Sequence, residues 1–366
     1  MVLFPFFMPS DRPRDLRSGP LRIVYLLEDT PLFGGVKVIL RQADELAGRG
    51  HDVKIVSPGA RPGWYEPRAE FVRTTGLEPH EIPPADVTVA SYWTTIEKAL
   101  KGAGGEVVHY CQGFEGIYTH NEAEHSKIDA AYQTPVPAFA VSEHLAQMVR
   151  QRYGRPARVV PQPLESSWQS RWRWRPGRPA RILVMSPLEI DWKGVETSLR
   201  ALALLRERGL DFRAVRLSQW PLSDAERAIL EPDEFHEHLP PTEVPALVRS
   251  CDLLLAASWE QEGFGLPVLE AMASGVPAIV SDISCFRDWT GNAAVRVPFD
   301  APEAFANATE RLLGSSRRWR RARRRGLRIA RGFRADVAGA EAEAAMRWVA
   351  SGEWRTEMRP EASIEP

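Results

Sequence analysis

Cysteine is scarce in this chain. Its 366 residues hold three, Cys111, Cys251 and Cys285, odd in number and far apart, which excludes a disulfide framework or a cysteine-built metal site and fits a reducing cytoplasm. Long apolar runs are missing too, since nothing approaches the ~18 to 20 residues that cross a bilayer. The apolar start MVLFPFFM has no basic flank and no small-residue cleavage site, so it reads as a tail rather than a secretion signal. Nor is one sign of charge in surplus: 47 Lys and Arg oppose 48 Asp and Glu, for a net charge of −1. The rest of the chain thus offsets its basic stretches, which argues against a nucleic-acid-binding protein.

What is present is alternation. Apolar runs alternate with helical patterns along the chain, the signature of parallel α/β layers. Residues 23–27 (IVYLL) read as a strand, Gly34-Gly35 as a tight turn, 36–47 as an amphipathic helix and 53–56 as the next strand, one βαβ unit. Further strands are predicted at 86–90, 106–110, 138–141 and 158–160, and a helix over 142–153 opened by the capping pair Ser142 and Glu143. Residues 162–178 (QPLESSWQSRWRWRPGR) carry Pro, Gly, Ser and Arg without apolar periodicity and read as a linker. Beyond them the alternation restarts. Strands are predicted at 181–185, 212–217, 235–239, 252–258, 278–281 and 294–297, with helices over 194–207, 241–249 and 302–313 and a last helix over 336–351. The expected organisation is a tail (1–20), a first α/β domain (21–165), a linker (166–179), a second α/β domain (180–334), a helix packing back (335–352) and a second tail (353–366). Two doubly wound sheets facing each other leave a cleft at the carboxyl ends of their strands, where such folds bind ligands.

One string stands out, Glu262-Gly263-Phe264-Gly265-Leu266-Pro267-Val268-Leu269-Glu270, between an apolar strand and a helix that Gly275 and Pro277 stop. The N–H groups of Phe264, Gly265 and Leu266 at that helix start favour an anionic ligand. Glu262 would face the crevice, and Glu270, about one turn into the helix, would accept hydroxyl hydrogens. With 48 acidic residues in 366, roughly six acidic pairs at this spacing arise by chance, so the information lies in the whole string. By itself it reads equally as a phosphate-sugar site or as a strand-turn-helix that merely packs.

Taken in order, Gly34-Gly35, Gly50-His51-Asp52-Val53, Val141-Ser142-Glu143, Lys193-Gly194 and 262–270 followed by 271–277 (AMASGVP) resemble the retaining, nucleotide-sugar-dependent glycosyltransferases of the GT-B fold, in particular glycosyltransferase family 4. The resemblance spans about residues 20 to 352 and implies two Rossmann-like domains around a central cleft. It implies that Glu262 lies at the donor sugar and that Glu270 holds the nucleotide ribose. The amides of Gly263, Phe264, Gly265 and Leu266 would hold sugar and diphosphate. Gly34 and Gly35 would form the floor beneath the phosphates, and Lys193 would neutralise the leaving diphosphate. His238 and Leu239, beside Glu237, would lie near the base. The implied reaction transfers a sugar to an acceptor hydroxyl with retention of configuration. No Asp-x-Asp metal clamp occurs anywhere in the chain, and no cofactor or metal is expected.

The chain departs from the family pattern twice. Residues 186–191 (SPLEID) hold no arginine ahead of Lys193, and His109-Tyr110-Cys111 places a cysteine where the family's second histidine would stand. His109 is therefore either catalytic or a satisfied structural histidine. Gln112 and Glu115 are further candidates for contacts to the sugar or acceptor. Two other readings use the same fold, a nucleotide-sugar epimerase and a donor-binding protein without turnover. Finally, residues 317–334 hold ten arginines and no acidic residue. Without a nucleic-acid fold pattern around it, the tract reads either as a helix facing an anionic membrane or as a solvated face.

Overall fold

The computed structural model describes residues 16–358, so the apolar start and the last residues of the second tail lie outside it. Strands β1 (Arg22–Leu26), β2 (Asp52–Ser57), β3 (Glu70–Arg73), β4 (Val87–Ala90), β5 (Glu106–Cys111), β6 (Ala138–Ala140) and β7 (Ala157–Val159) form one sheet. All its pairings are parallel, in the order β3-β2-β1-β4-β5-β6-β7. A second parallel sheet contains β8 (Ala180–Met185), β9 (Phe212–Ser218), β10 (Glu234–Glu237), β11 (Leu253–Ala256), β12 (Ala278–Ser281) and β13 (Val295–Val297), in the order β10-β9-β8-β11-β12-β13. The central strands are continuous rather than alternating in hydrophobicity because helices cover both faces. Ile23, Tyr25, Val87, Val89, Leu183 and Leu254 are all fully buried.

The predicted strands all form. The sequence reading missed β3, whose segment EFVR is a half-exposed edge with only two apolar side chains. It also passed over the helices Trp93–Gly102, His125–Tyr132, Asp224–Ile229 and Ser284–Trp289, each ten residues or shorter and therefore carrying little periodic signal.

Strand order reverses beside β1 and β4 in the first sheet and beside β8 and β11 in the second, and these switch points are where an open α/β sheet leaves a crevice. Leu27 and Ser91 follow the first pair, Ser186 and Glu262 follow the second, and all four line the same cleft. Helix Ala335–Ala350 leaves the second sheet and packs on helix Gly34–Gly48 of the first, with Arg49 Nε 2.6 Å from Glu343. Where the chain passes between the sheets, the buried carboxylate of Asp252 accepts from the N–H groups of Gly177 (2.8 Å) and Arg181 (2.9 Å) and from Arg173, which anchors the linker to the second domain.

Candidate active site in the interdomain cleft

The cleft encloses about 980 Å³, at the upper end of what a small-molecule site needs. Its second-domain wall is built by the loop after β11. Gly265, in the left-handed region at φ +82°, caps helix Leu266–Ala273, and Pro267 occupies its first turn. The Glu262 carboxylate folds back over this turn. It accepts the Gly265 N–H at 3.1 Å, the Ser258 hydroxyl at 3.2 Å and the Lys193 ammonium at 2.7 Å. Burial by itself would raise this carboxyl, but Lys193, with the Ser258 and Gly265 donors, holds it below the usual carboxylate range. Glu262 is thus an ionised brace at neutral pH. The Gly265 N–H belongs to that brace, which corrects the expectation that it faces a ligand. Among the described residues, the N–H groups of Phe264 and Leu266 have no protein acceptor. The Phe264 ring is committed to the core, stacked on Trp289 with centroids 4.7 Å apart.

Lys193 reaches Glu262 because its loop is pinned to the same strand. It ends the short turn Asp191–Lys193, and Gly194 follows at φ +60°, where a Cβ would stand 1.9 Å from the Ala257 carbonyl oxygen. Trp259 N–H to Trp192 O at 2.8 Å completes the pinning.

The first domain supplies the opposite wall. Gly34 and Gly35 start helix Gly34–Gly48, and a Cβ on Gly34 would meet Leu266 across the cleft at 3.2 Å. Four hydrogen bonds in three groups join the domains here. Lys37 donates to Glu270 Oε1 at 2.8 Å. The Ser142 hydroxyl donates to the Gly263 carbonyl at 2.9 Å, and Asp288 of the second domain accepts from the N–H groups of Glu143 (2.5 Å) and His144 (3.3 Å). Ser142 does not cap its own helix with its side chain, so the predicted local cap is corrected to one supplied across the interface. An aromatic stack also crosses the cleft, with Tyr118 on Trp192 at 5.0 Å and 17°.

Among known proteins, the glycosyl transferases group 1 family matches residues 179–315, the domain that carries this loop. The chain is 34% identical over 158 residues to a GDP-mannose-dependent α-(1-6)-phosphatidylinositol dimannoside mannosyltransferase of Mycobacterium tuberculosis, which is 40% of each chain. It is 27% identical over 364 residues to an MMP α-(1→4)-mannosyltransferase of Mycolicibacterium hassiacum, spanning 79% of this chain and 88% of that one. In structure it is similar to Anabaena HepE in complex with UDP-glucose, with a TM-score of 0.73, 12% identity, and coverage of 89% and 99%. The sucrose-phosphate synthase of Thermosynechococcus elongatus is similar at a TM-score of 0.71, 14% identity, and coverage of 90% and 100%. These likenesses establish the GT-B fold.

The site residues named from sequence do not all meet. Glu262, Lys193, Gly34, Gly35, Gly263, Phe264, Gly265, Leu266, Glu270, His238, Leu239, Gln112 and Glu115 all line the cleft. Glu237 does not, being an exposed residue at the end of β10. His109 is the larger correction. It is fully buried in β5, meets Tyr132 edge-on at 4.9 Å, and lies outside the cleft wall. Burial, reinforced by the Arg155 charge, holds its imidazole well below the ordinary range, so it is a neutral core side chain with no access to a reacting sugar.

Among the described residues no arginine lines the cleft, so none of them replaces the one missing ahead of Lys193. The second cation is Lys37, from the other domain, which sequence reasoning overlooked. Its signal was its place in the first turn after Gly34-Gly35, a helix start that the same reasoning had already aimed at phosphates.

Glu115 presents a different electrostatic problem. Its carboxyl accepts the Tyr132 hydroxyl at 2.5 Å, and burial pushes it up to about 7. A carboxyl raised on folding contributes stability that is fully present below its unfolded range and is lost as pH rises through about 7. The melting temperature is therefore expected to fall between about pH 4.5 and 7, and Glu115→Gln to flatten that fall. An unchanged slope in differential scanning calorimetry would remove Glu115 as its source.

Proposed function

We propose that this chain is a retaining glycosyltransferase that moves a hexosyl or deoxyhexosyl group from a nucleoside-diphosphate sugar to a hydroxyl of a glycan or lipid-linked acceptor in envelope glycoconjugate synthesis, without a divalent metal. The observation that carries the reading is convergence at one end of the cleft. Lys193 and Lys37, one from each domain, flank a helix start whose Phe264 and Leu266 amides are open. Two cations and a helix N-terminus suit a diphosphate.

In this reading the acceptor hydroxyl attacks the anomeric carbon on the face that the diphosphate leaves. The C–O bond to phosphate breaks as the new glycosidic bond forms, and the departing phosphate oxygen takes the acceptor proton. Lys193 neutralises the charge that grows on the leaving group. Glu262 holds Lys193 and the Gly265 turn in place rather than attacking the sugar, since its oxygens are already engaged by three donors. Glu270 takes ribose hydroxyls after exchanging Lys37, which moves to the phosphates. The GDP-mannose-dependent mannosyltransferase to which the chain is similar makes GDP-mannose the first donor to test.

A panel of GDP-, UDP- and dTDP-sugars, assayed for slow release of nucleoside diphosphate without acceptor, tests the reading. Release from one donor is expected, abolished in Glu262→Ala and unaffected by a chelator. Interconversion of the donor sugar without release would make the protein an epimerase, and binding without either would make it a donor-binding protein. Release lost to a chelator and restored by magnesium or manganese would sink metal independence alone.

A further inference from the structure

The arginine tract is part of a larger surface. Residues Ser316–Ala330 form one helix whose buried face, Trp319, Ala322, Gly326 and Ala330, packs on helix Leu266–Ala273. Arg317, Arg321, Arg324 and Arg328, spaced four, three and four residues apart, are all exposed and make a single stripe along its outer side. Among the described residues none of these four is in an ion pair, and the chain has no acidic residue between Glu310 and Asp336.

The linker lies against this helix. Arg320 donates to the Trp174 carbonyl at 3.0 Å, and Arg323 donates to that of Arg171. The linker is free of acidic residues as well, with none between Glu165 and Glu189. It holds Trp172 and Trp174, 76% and 58% exposed, the largest exposures among the big apolar side chains described. Their rings meet edge to face at 4.6 Å and 82°. Exposed indoles of this kind are costly in water and call for a partner that covers them.

We infer that the Ser316–Ala330 stripe and the Trp172–Trp174 pair together form a docking surface for an anionic lipid bilayer. The charge pattern fits a layer of phosphate headgroups, which attracts arginines and releases them in salt. The tryptophans fit its boundary, where an amphipathic ring buries its body and keeps its N–H wet. The shape decides between lipid and nucleic acid. The stripe runs along the outside of a helix rather than in a groove, and the perpendicular rings do not form the parallel platforms on which successive bases stack. None of these arginines enters the cleft, so the surface is separate from the proposed donor site and leaves that site accessible while the protein is docked.

Flotation of the full chain with vesicles of phosphatidylcholine alone, or of phosphatidylcholine with phosphatidylglycerol, tests this. Binding is expected only to the anionic vesicles and only at low salt. Each arginine removed should weaken it roughly fivefold, so the triple variant Arg317→Glu, Arg321→Glu, Arg328→Glu should lose at least about a hundredfold. These three side chains make no hydrogen bond to the rest of the fold among the described residues, so the melting temperature should stay at the parent's value. The blue shift of tryptophan emission on adding anionic vesicles should vanish in Trp172→Ser/Trp174→Ser, which gives a second readout if the arginine variant fails to fold. Absence of flotation, flotation undiminished in the triple variant, or a single-stranded oligonucleotide that binds more tightly than the vesicles and displaces them would each overturn the inference.

Discussion

Lys193→Ala is expected to lower turnover at saturating donor by about 10²- to 10³-fold, the loss typical of removing one preorganised group that stabilises charge in a transition state. The argument is electrostatic. Lys193 Nζ lies 2.7 Å from Glu262, whose side chain is buried, and among the described residues it is the only cation on that carboxylate. Its removal has two consequences. In the proposed reaction the leaving diphosphate loses the charge that compensates it, and among the described residues Glu262 keeps only the Ser258 hydroxyl and the Gly265 N–H. Burial then dominates, the carboxyl shifts upward, and the turn at Gly265 loses its ionised brace.

The pH response should change with it. In the parent, Glu262 is held below the usual carboxylate range, so it contributes stability above that range and loses it as pH falls through its folded value. In Lys193→Ala the shift reverses, and the variant should be relatively more stable in acid than at neutral pH. Steady-state kinetics together with melting curves across the acid range would measure both effects. Turnover within threefold of the parent would remove Lys193 from the chemistry.

The second large effect comes from a methyl group. A Cβ on Gly263 would stand 2.1 Å from the Gln112 carbonyl oxygen and 3.1 Å from its carbon, both backbone atoms of the opposite domain. No rotamer change relieves such an overlap, so in Gly263→Ala the two domains must separate at this point. The Ser142 to Gly263 hydrogen bond and the Asp288 cap on helix Glu143–Tyr153 separate with them. Loss of about an ångström of alignment between donor and acceptor sides should cost about 10²-fold in kcat/KM. The clusters around Leu199 and Phe305 in the second domain and around Val24 and Ile96 in the first are separate from the one that crosses the interface, so the melting temperature should fall less than the activity does.

Gly194→Ala serves as the contrast. Its Cβ would meet the Ala257 carbonyl at 1.9 Å within one domain, at φ +60°, so it should cost stability of about 1–3 kcal/mol or more. Small-angle scattering on Gly263→Ala should show a larger radius of gyration than the parent. An unchanged radius with full activity would show that the domains do not close on this contact.

Much of the architecture was legible because its signals are local. A buried parallel strand announces itself as a short apolar run, and a helix as a 3.6-residue pattern with a glycine or proline at its end. The strands around both switch points follow those rules, as does the 262–270 loop, where helix start, turn glycine and first-turn proline lie within a few residues of one another. Edge strand β3 and the short helices escaped because four to ten residues carry too few repeats of either pattern.

His109 shows the limit from the other side. Its position in β5 was correctly placed on a strand, but whether it faces the cleft or the core depends on what packs over that strand, here Tyr132 from a helix about twenty residues away. Trp172 and Trp174 lay in a segment readable only as a linker; their exposure and their contact with the arginine helix follow from how Arg320 and Arg323 fold onto it.

The sequence by itself determined two parallel α/β layers, the strand-turn-helix of the 262–270 loop, and the presence of Lys193 and two glutamates beside it. Only the tertiary structure decided how that site is completed. It placed Lys37 on Glu270 across 233 residues of chain, Asp288 on the helix after Ser142, and Gly263 against the backbone of Gln112. The reason is physical: secondary structure and turn geometry are set by neighbours a few residues away, whereas an ion pair or a steric contact between domains depends on where the two sheets come to rest against each other.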